Sequence, residues 1–352
     1  MTDPTASLPY LTASLPGIGG VLRATLDDFR VDEIAAYEPS GEGEHVYARI
    51  EKRDMTTPFA VDRLARALRV DARDIGYAGL KDRHAVTTQW VSLPRVDPAA
   101  VEALAIDGLR VLAVSRHKNK LRTGHLHGNR FTLRVTGLAD VALAIRNASV
   151  IATELRMIGC PNYYGAQRFG REGDNAERGL AWLRGASSAP RQHFERKLFA
   201  SAVQSMLFNR YLALRVEAGE LARYINGELA MRHPTGGAWR VDPAEAQALY
   251  DARQASGAGP MFGTRMLKAT GAALVREEAL LAEASLTLDD FARARDLGEG
   301  TRRPVRMIVD DLGVEADGDA VKLTFSLPAG GYATSLAREV MKGAETVETA
   351  LE

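Results

Sequence analysis

Arg191-Gln-His-Phe-Glu-Arg-Lys-Leu-Phe-Ala-Ser-Ala-Val-Gln-Ser-Met-Leu-Phe-Asn-Arg-Tyr-Leu-Ala-Leu-Arg-Val-Glu-Ala218 decides the architecture. Phe194, Leu198, Val203, Leu207, Tyr211 and Leu214 recur at helical spacing, which predicts one long amphipathic helix. Further helices fit Pro243–Ser256, Glu277–Ala284 and Leu288–Leu297, with another upstream at Asp140–Ile158. The middle of the chain therefore reads as mostly α.

Outward from this block the period changes from helical to alternating. On the N-terminal side, Val21–Ile34, His45–Arg53, Ala85–Leu93, Arg110–Ser115 and Arg130–Val135 read as strands; Val46, Ala48 and Ile50 share one face of the second. Pro39-Ser-Gly-Glu-Gly-Glu44 is a loop. One helix interrupts these strands, capped at Thr57 with Pro58 in its first turn and with Leu64 and Leu68 on its buried side. On the C-terminal side, strands at Val305–Val309 and Ala320–Ser326 precede a helix near Ala333–Lys342. A β–α–β distribution predicts an α+β chain whose helical domain is inserted into a mixed-sheet domain completed by the C-terminal strands. The alternative is two consecutive domains.

Composition bounds the function. With 352 residues the chain has room for two domains, and 46% apolar residues is an ordinary globular composition. The single cysteine, Cys160, excludes an intramolecular disulfide and a four-cysteine zinc site, which makes a cytoplasmic location the default expectation. The first ten residues, MTDPTASLPY, lack the pattern of a signal peptide, and no apolar run is long enough to span a membrane. Lys plus Arg and Asp plus Glu balance at 45 each. Yet no acidic residue lies between Asp107 and Asp140, a stretch carrying Arg110, Arg116, Lys118, Lys120, Arg122, Arg130 and Arg134 with His117, His125 and His127. That local excess suits a phosphate-facing patch, and equally suits a solvated face whose charges pair with distant acids.

Absent motifs narrow the chemistry further. There is no G-x-x-x-x-G-K-S/T loop, and Gly17-Ile-Gly-Gly20 fails dinucleotide-loop spacing. No H-E-x-x-H or C-x-x-C occurs; His125 and His127 lack a nearby third ligand, so no metal is expected. His84 stands close to Asp82, but no G-x-S-x-G elbow accompanies them.

Four segments carry the functional reading: Tyr77-Ala-Gly-Leu-Lys-Asp-Arg-His-Ala-Val-Thr87, Gly124-His-Leu-His-Gly-Asn-Arg-Phe131, Pro161-Asn-Tyr-Tyr-Gly-Ala-Gln-Arg-Phe-Gly170 and Leu327-Pro-Ala-Gly-Gly-Tyr-Ala-Thr-Ser335. In this order they resemble the catalytic loop, the G-x-L-x-G-N-x-F element, the P-N-Y-F-G-x-Q-R-F-G stretch and the L-P-A-G-S-F-A-T-S motif of the TruD family of pseudouridine synthases. Asp28-Phe-Arg-Val-Asp-Glu33 and Gly41-Glu-Gly-Glu-His45 fit that family's N-terminal region. The resemblance runs from about Leu22 to Leu336, nearly the whole chain.

The resemblance implies a discontinuous, mixed-sheet catalytic domain (residues 1–157 and 305–352) with an inserted, mainly α TRUD domain (158–304), the two defining a cleft for RNA. It implies isomerisation of uridine, at position 13 of tRNA, to pseudouridine. No cofactor or metal is expected, because the base is detached and rejoined without redox change or phosphate transfer. Asp82 is the implied catalytic carboxylate, Arg23 its ion-pair partner, and Phe29, Asn129, Phe131 and Tyr332 the substrate contacts. On an extended chain Asn129 and Phe131 lie on one side, as a uracil edge and face require. Taken singly, Asp82 reads rather as a loop-capping residue and Phe131 as a core residue; the ordered set of motifs reverses both readings. Tyr163, Tyr164, Gln167 and Arg168 fit either RNA contact or an interdomain hinge.

Two departures stand out. Gly331-Tyr332 replaces the family's Ser-Phe, adding a hydroxyl, and Leu80 stands where the family also uses glutamine. The rival readings are an RNA-binding or RNA-folding protein that keeps the cleft without catalysis, which would not need Asp82, and a metal-dependent RNA hydrolase, which lacks a ligand cluster. A monomer is expected, since no coiled-coil pattern is visible.

Overall fold

The structure, a computed structural model, describes residues 5, 7–170, 172–233 and 236–342. It divides into two compact units. One comprises Pro16–Ala152, Val309–Gly331 and the described residues from Val340; the other comprises the described residues up to Leu15, Thr153–Ile308 and Tyr332–Glu339.

The first unit is built on a nine-stranded mixed sheet. Its main path runs Gly313–Asp317, Ala320–Pro328, Leu126–Thr136, Phe29–Ala35, Val86–Leu93, His45–Arg53 and Leu109–His117. Val21–Leu22 pairs with Leu126–Thr136, and Gly76–Tyr77 with Val86–Leu93. Only the contact between Phe29–Ala35 and Val86–Leu93 is parallel; the other pairings are antiparallel. The helix Thr57–Leu68 packs Ala60, Val61, Leu64 and Ala65 against Val46, Ala48, Ile50 and Val91. Its N-cap is Thr56, one residue before the expected position: the Thr56 hydroxyl accepts from Phe59 N at 3.3 Å.

The single strand expected over Val21–Ile34 is broken in two. Asp28, 1% exposed, gathers the chain into a turn: its Oδ2 accepts from Thr25 N at 2.6 Å and Thr25 Oγ1 at 2.9 Å, and its Oδ1 accepts from Arg134 Nη1 at 3.0 Å. A buried carboxylate needs these partners more than the ladder needs continuity. Arg23, ahead of the turn, takes a left-handed conformation with φ 63°.

The second unit centres on the helix His193–Glu217, whose Val203, Leu207, Phe208, Tyr211 and Leu212 are buried. Phe194, expected on the apolar face, is 67% exposed in the first helical turn. Against this helix lies a four-stranded antiparallel sheet in the order Ala238–Arg240, Leu229–Arg232, Ala255–Met261, Thr301–Pro304. This sheet corrects the expected helix Pro243–Ser256, which ends at Asp251. The expected strand Val305–Val309 is likewise replaced by Thr301–Pro304 and the two-residue Arg306–Met307, which pairs with Cys160–Pro161.

Candidate active site

Asp82 lies on an irregular loop between Gly76–Tyr77 and Val86–Leu93, with its side chain 35% exposed. Arg23 Nη2 stands 3.5 Å from Asp82 Oδ2. The same guanidinium lies over Phe29, 3.8 Å from the ring centroid, and its Nε is buried without a partner. Phe29 meets Phe131 edge-to-face at 6.2 Å, and Phe131 stacks on Phe325 at 5.4 Å.

Strand register explains this ring cluster. Phe131 is opposite Val31 on one side and Phe325 on the other, and Asn129 is opposite Glu33 and Leu327. Period-2 alternation therefore sets Asn129, Phe131 and Phe29 on one sheet face. Phe29 and Phe131 are 1% and 5% exposed, so their rings form the floor of this region and expose little surface. Asn129 differs: its Oδ1 is buried and makes no hydrogen bond. A buried amide oxygen without a donor is uncommon, and it is an acceptor waiting for an N–H.

Five of the six expected site residues, Asp82, Arg23, Phe29, Asn129 and Phe131, thus belong to one unit and are linked by contact or register. Tyr332 belongs to the other unit. There its ring packs on Tyr164 at 5.6 Å, and the Arg303 guanidinium lies 6.0 Å from its centroid. Burial holds the Arg303 guanidinium below its ordinary pKa, a shift opposed by Tyr164 and Tyr332. Tyr163 and Tyr164 are buried in that unit's core, and Asn209 clasps the Tyr164 backbone through both amide atoms. Gln167 is exposed, while Arg168 bonds Ser205 Oγ at 3.2 Å.

Beneath the Asp82 loop lies a buried polar network. Lys81 Nζ pairs with Glu33 Oε2 at 2.7 Å, both side chains being 2% exposed. Glu33 Oε1 accepts from Trp90 N at 3.1 Å. Thr57 Oγ1 accepts from Lys81 N and donates to Gln89 Oε1, while Gln89 Nε2 donates to the Gly79 carbonyl at 3.3 Å. Lys52 Nζ donates to the Met55 and Asp82 carbonyls. Sequence reasoning missed these residues. The signal was present: Glu33 and Lys52 continue the apolar faces Phe29–Val31 and Val46–Ala48–Ile50 with charges.

The basic segment carries Asn129 and Phe131 and also meets the Asp82 loop where Gly124 N donates to the Ala78 carbonyl at 2.8 Å. Several of its charges do pair with acids: Arg110 with Glu51, Lys118 with Glu42, and Arg134 with Asp28 and Asp317. Arg122 and Arg130 are exposed and have no ionic partner among the described residues. Leu80, 68% exposed on the Asp82 loop, presents only hydrocarbon.

Comparison with known proteins decides the family. The family model "tRNA pseudouridine synthase D (TruD)" matches residues 6–194 and 183–340. The chain belongs to the TruD family. It is 49% identical over 355 residues to the tRNA pseudouridine synthase D of Anaeromyxobacter sp. (strain Fw109-5), covering 99% of both chains. It is 41% identical over 336 residues to a tRNA pseudouridine synthase D of Thermus thermophilus, covering 95% of this chain and 92% of the relative. A Methanosarcina mazei protein assigned to TruD shares the fold, with a TM-score of 0.76 at 24% identity over 97% of this chain and 98% of that one. The TruD fold is thus the α+β architecture expected from the β–α–β pattern. No helix among the described residues is long and apolar enough to cross a membrane.

Proposed function

We propose that this chain isomerises uridine to pseudouridine in tRNA, at position 13, with Asp82 as the catalytic carboxylate and without a cofactor. The observation that carries the reading is the grouping around Asp82: a solvent-reachable carboxylate, a guanidinium 3.5 Å away, and an unsatisfied amide oxygen on the adjoining sheet face.

A uridine inside folded RNA must leave its stack before its glycosidic bond can be reached. Once extruded it offers an N3–H donor, which suits Asn129 Oδ1. The planar Arg23 guanidinium, held by Phe29, complements the charge on Asp82 while staying within the site. Phe29 and Phe131 exclude water below it. Tyr332 is, by resemblance, a further aromatic substrate contact. The C1′–N1 bond breaks, the base turns, C1′–C5 forms and the C5 hydrogen leaves as a proton, while N1 gains one. Atoms and electrons balance without an external reactant. Monomeric action in the cytoplasm completes the reading.

The test is incubation with a tRNA pool carrying tritium at uracil C5. Release to water by the native chain and none by Asp82→Asn, with tRNA binding retained, is the expected result. Binding without release would instead favour an RNA-binding role for the same surface.

A further inference from the structure

The Asp82 loop has no regular structure between Tyr77 and Val86; a few main-chain bonds and the side chains beneath it set its shape. Most of them hold the loop at Gly79 and Lys81. One holds Asp82 itself. Lys52 is fully buried, on the strand face it shares with Val46, Ala48 and Ile50. Its ammonium donates to the Met55 carbonyl at 2.6 Å and to the Asp82 carbonyl at 2.7 Å.

We propose that Lys52 is a positioning residue for the reaction: by binding the main-chain oxygen of Asp82 from inside the protein, it fixes the direction of the catalytic carboxylate. This rests on the reading of Asp82 as catalyst. Alternation along His45–Arg53 would be satisfied by an apolar residue at this place, and an ammonium drawn out of water is costly. A lysine supplies what an apolar residue cannot, a charged donor aimed at one carbonyl of the loop and another in the turn Arg53–Met55. Because the carbonyl and the side chain of Asp82 leave adjoining atoms, holding the peptide plane restricts where the carboxylate can point.

The charged groups facing the ammonium are Asp82 and Lys81 from the loop and Asp54 from the turn. Burial pushes the Lys52 ammonium down to about 8, with Lys81 adding to the effect and the Asp82 and Asp54 carboxylates opposing it. Above that pH the amine is neutral and a weaker donor. Turnover should therefore fall along an alkaline limb.

The experiment measures single-turnover release of C5 tritium from tRNA between about pH 6.5 and 9.5, with tRNA affinity and thermal melting followed in parallel. The native chain should lose rate with a midpoint near 8. Lys52→Met should lower the plateau by roughly ten- to a hundredfold, lose the limb, and leave tRNA affinity unchanged. Lys52→Arg, which keeps charge and donors, should move the limb to higher pH; it carries the test if Lys52→Met does not melt cooperatively. A Lys52→Met enzyme at native rate, or a slower one with the native limb, would overturn the proposal. Asp82→Asn separates the two layers. If it retains native rate, the reading of Asp82 fails and the proposal falls with it. If Asp82→Asn is inactive while the Lys52 variants behave as the native chain does, only the positioning role fails.

Discussion

Arg23 combines three features at one residue: a left-handed backbone, a guanidinium over the Phe29 ring, and an ion pair with Asp82. A non-glycine residue at φ 63° costs conformational energy and persists where its surroundings compel it. The side chains of the pair are 17% and 35% exposed, and such partly solvated pairs contribute only about 0–1 kcal/mol to stability. Arg23→Met should therefore leave the melting temperature nearly unchanged. It should lower the single-turnover rate by roughly ten- to a hundredfold, because it removes the charge complement of Asp82. A variant whose loss of rate is matched by loss of folded protein would count against a role in the site. The pairing of Arg23 with Asp82 came from family resemblance alone. Residue spacing says nothing about it, since the contact depends on the Thr25–Asp28 turn that brings Arg23 round.

Among elements, the strand Leu126–Thr136 does the most. It pairs with three others and carries Asn129, Phe131 and the exposed Arg130. Gly128 is its tightest point: a Cβ there would overlap the Leu327 carbonyl oxygen. Gly128→Ala should disrupt pairing with Ala320–Pro328 next to Asn129, lowering both stability and activity, as melting and tritium release would report. The basic character of this region makes a separate prediction. Most of its arginines and lysines are spoken for by acids or carbonyls, and Arg122 and Arg130 are the two exposed cations left over among the described residues. The double variant Arg122→Ser, Arg130→Ser should weaken tRNA binding. The slope of log affinity against log salt should drop by about 1.4–1.8, the worth of two phosphate contacts. An unchanged slope would assign both cations to the solvated face that charge alone left open. In the other unit, Ala255–Met261 shows why a strand escaped sequence reading. Ala-Ser-Gly-Ala-Gly-Pro-Met has low β propensity, yet a Cβ on Gly259 would lie 2.7 Å from the Phe208 ring and 3.2 Å from Tyr211. Close packing on the long helix selects small residues there, against local preference.

At the scale of the whole molecule, two buried basic groups make stability rise with pH, because burial makes each release its proton more readily folded than unfolded. His233 is held neutral by burial, with Arg306 adding to the effect, and falls to about 4 from 6.5. Between these values the unfolded chain binds a proton that the folded chain refuses, so stability drops as pH falls from 6.5 to 4. Melting scans should show this loss, and His233→Gln should flatten it. For Lys52 the unfolded amine titrates near 10.5 and the folded one near 8, so its contribution to stability rises as pH climbs through that window. Activity is expected to fall over the same range. An alkaline loss of turnover that tracks unfolding would therefore exclude the positioning role of Lys52. By itself, the sequence determined the class, the family and the order of most elements: strand alternation and helical spacing are local, and ordered motifs survive in a linear text. It also marked Asp82, Asn129 and Phe131 by motif. Only the tertiary structure decided that Phe131 is buried among rings, that Asn129 Oδ1 is left without a donor, and that Lys52 reaches Asp82 across thirty positions of chain. Burial and hydrogen-bond partnership are properties of neighbours in space, and which neighbours a residue acquires is settled by the register of the sheet and the path of its loops.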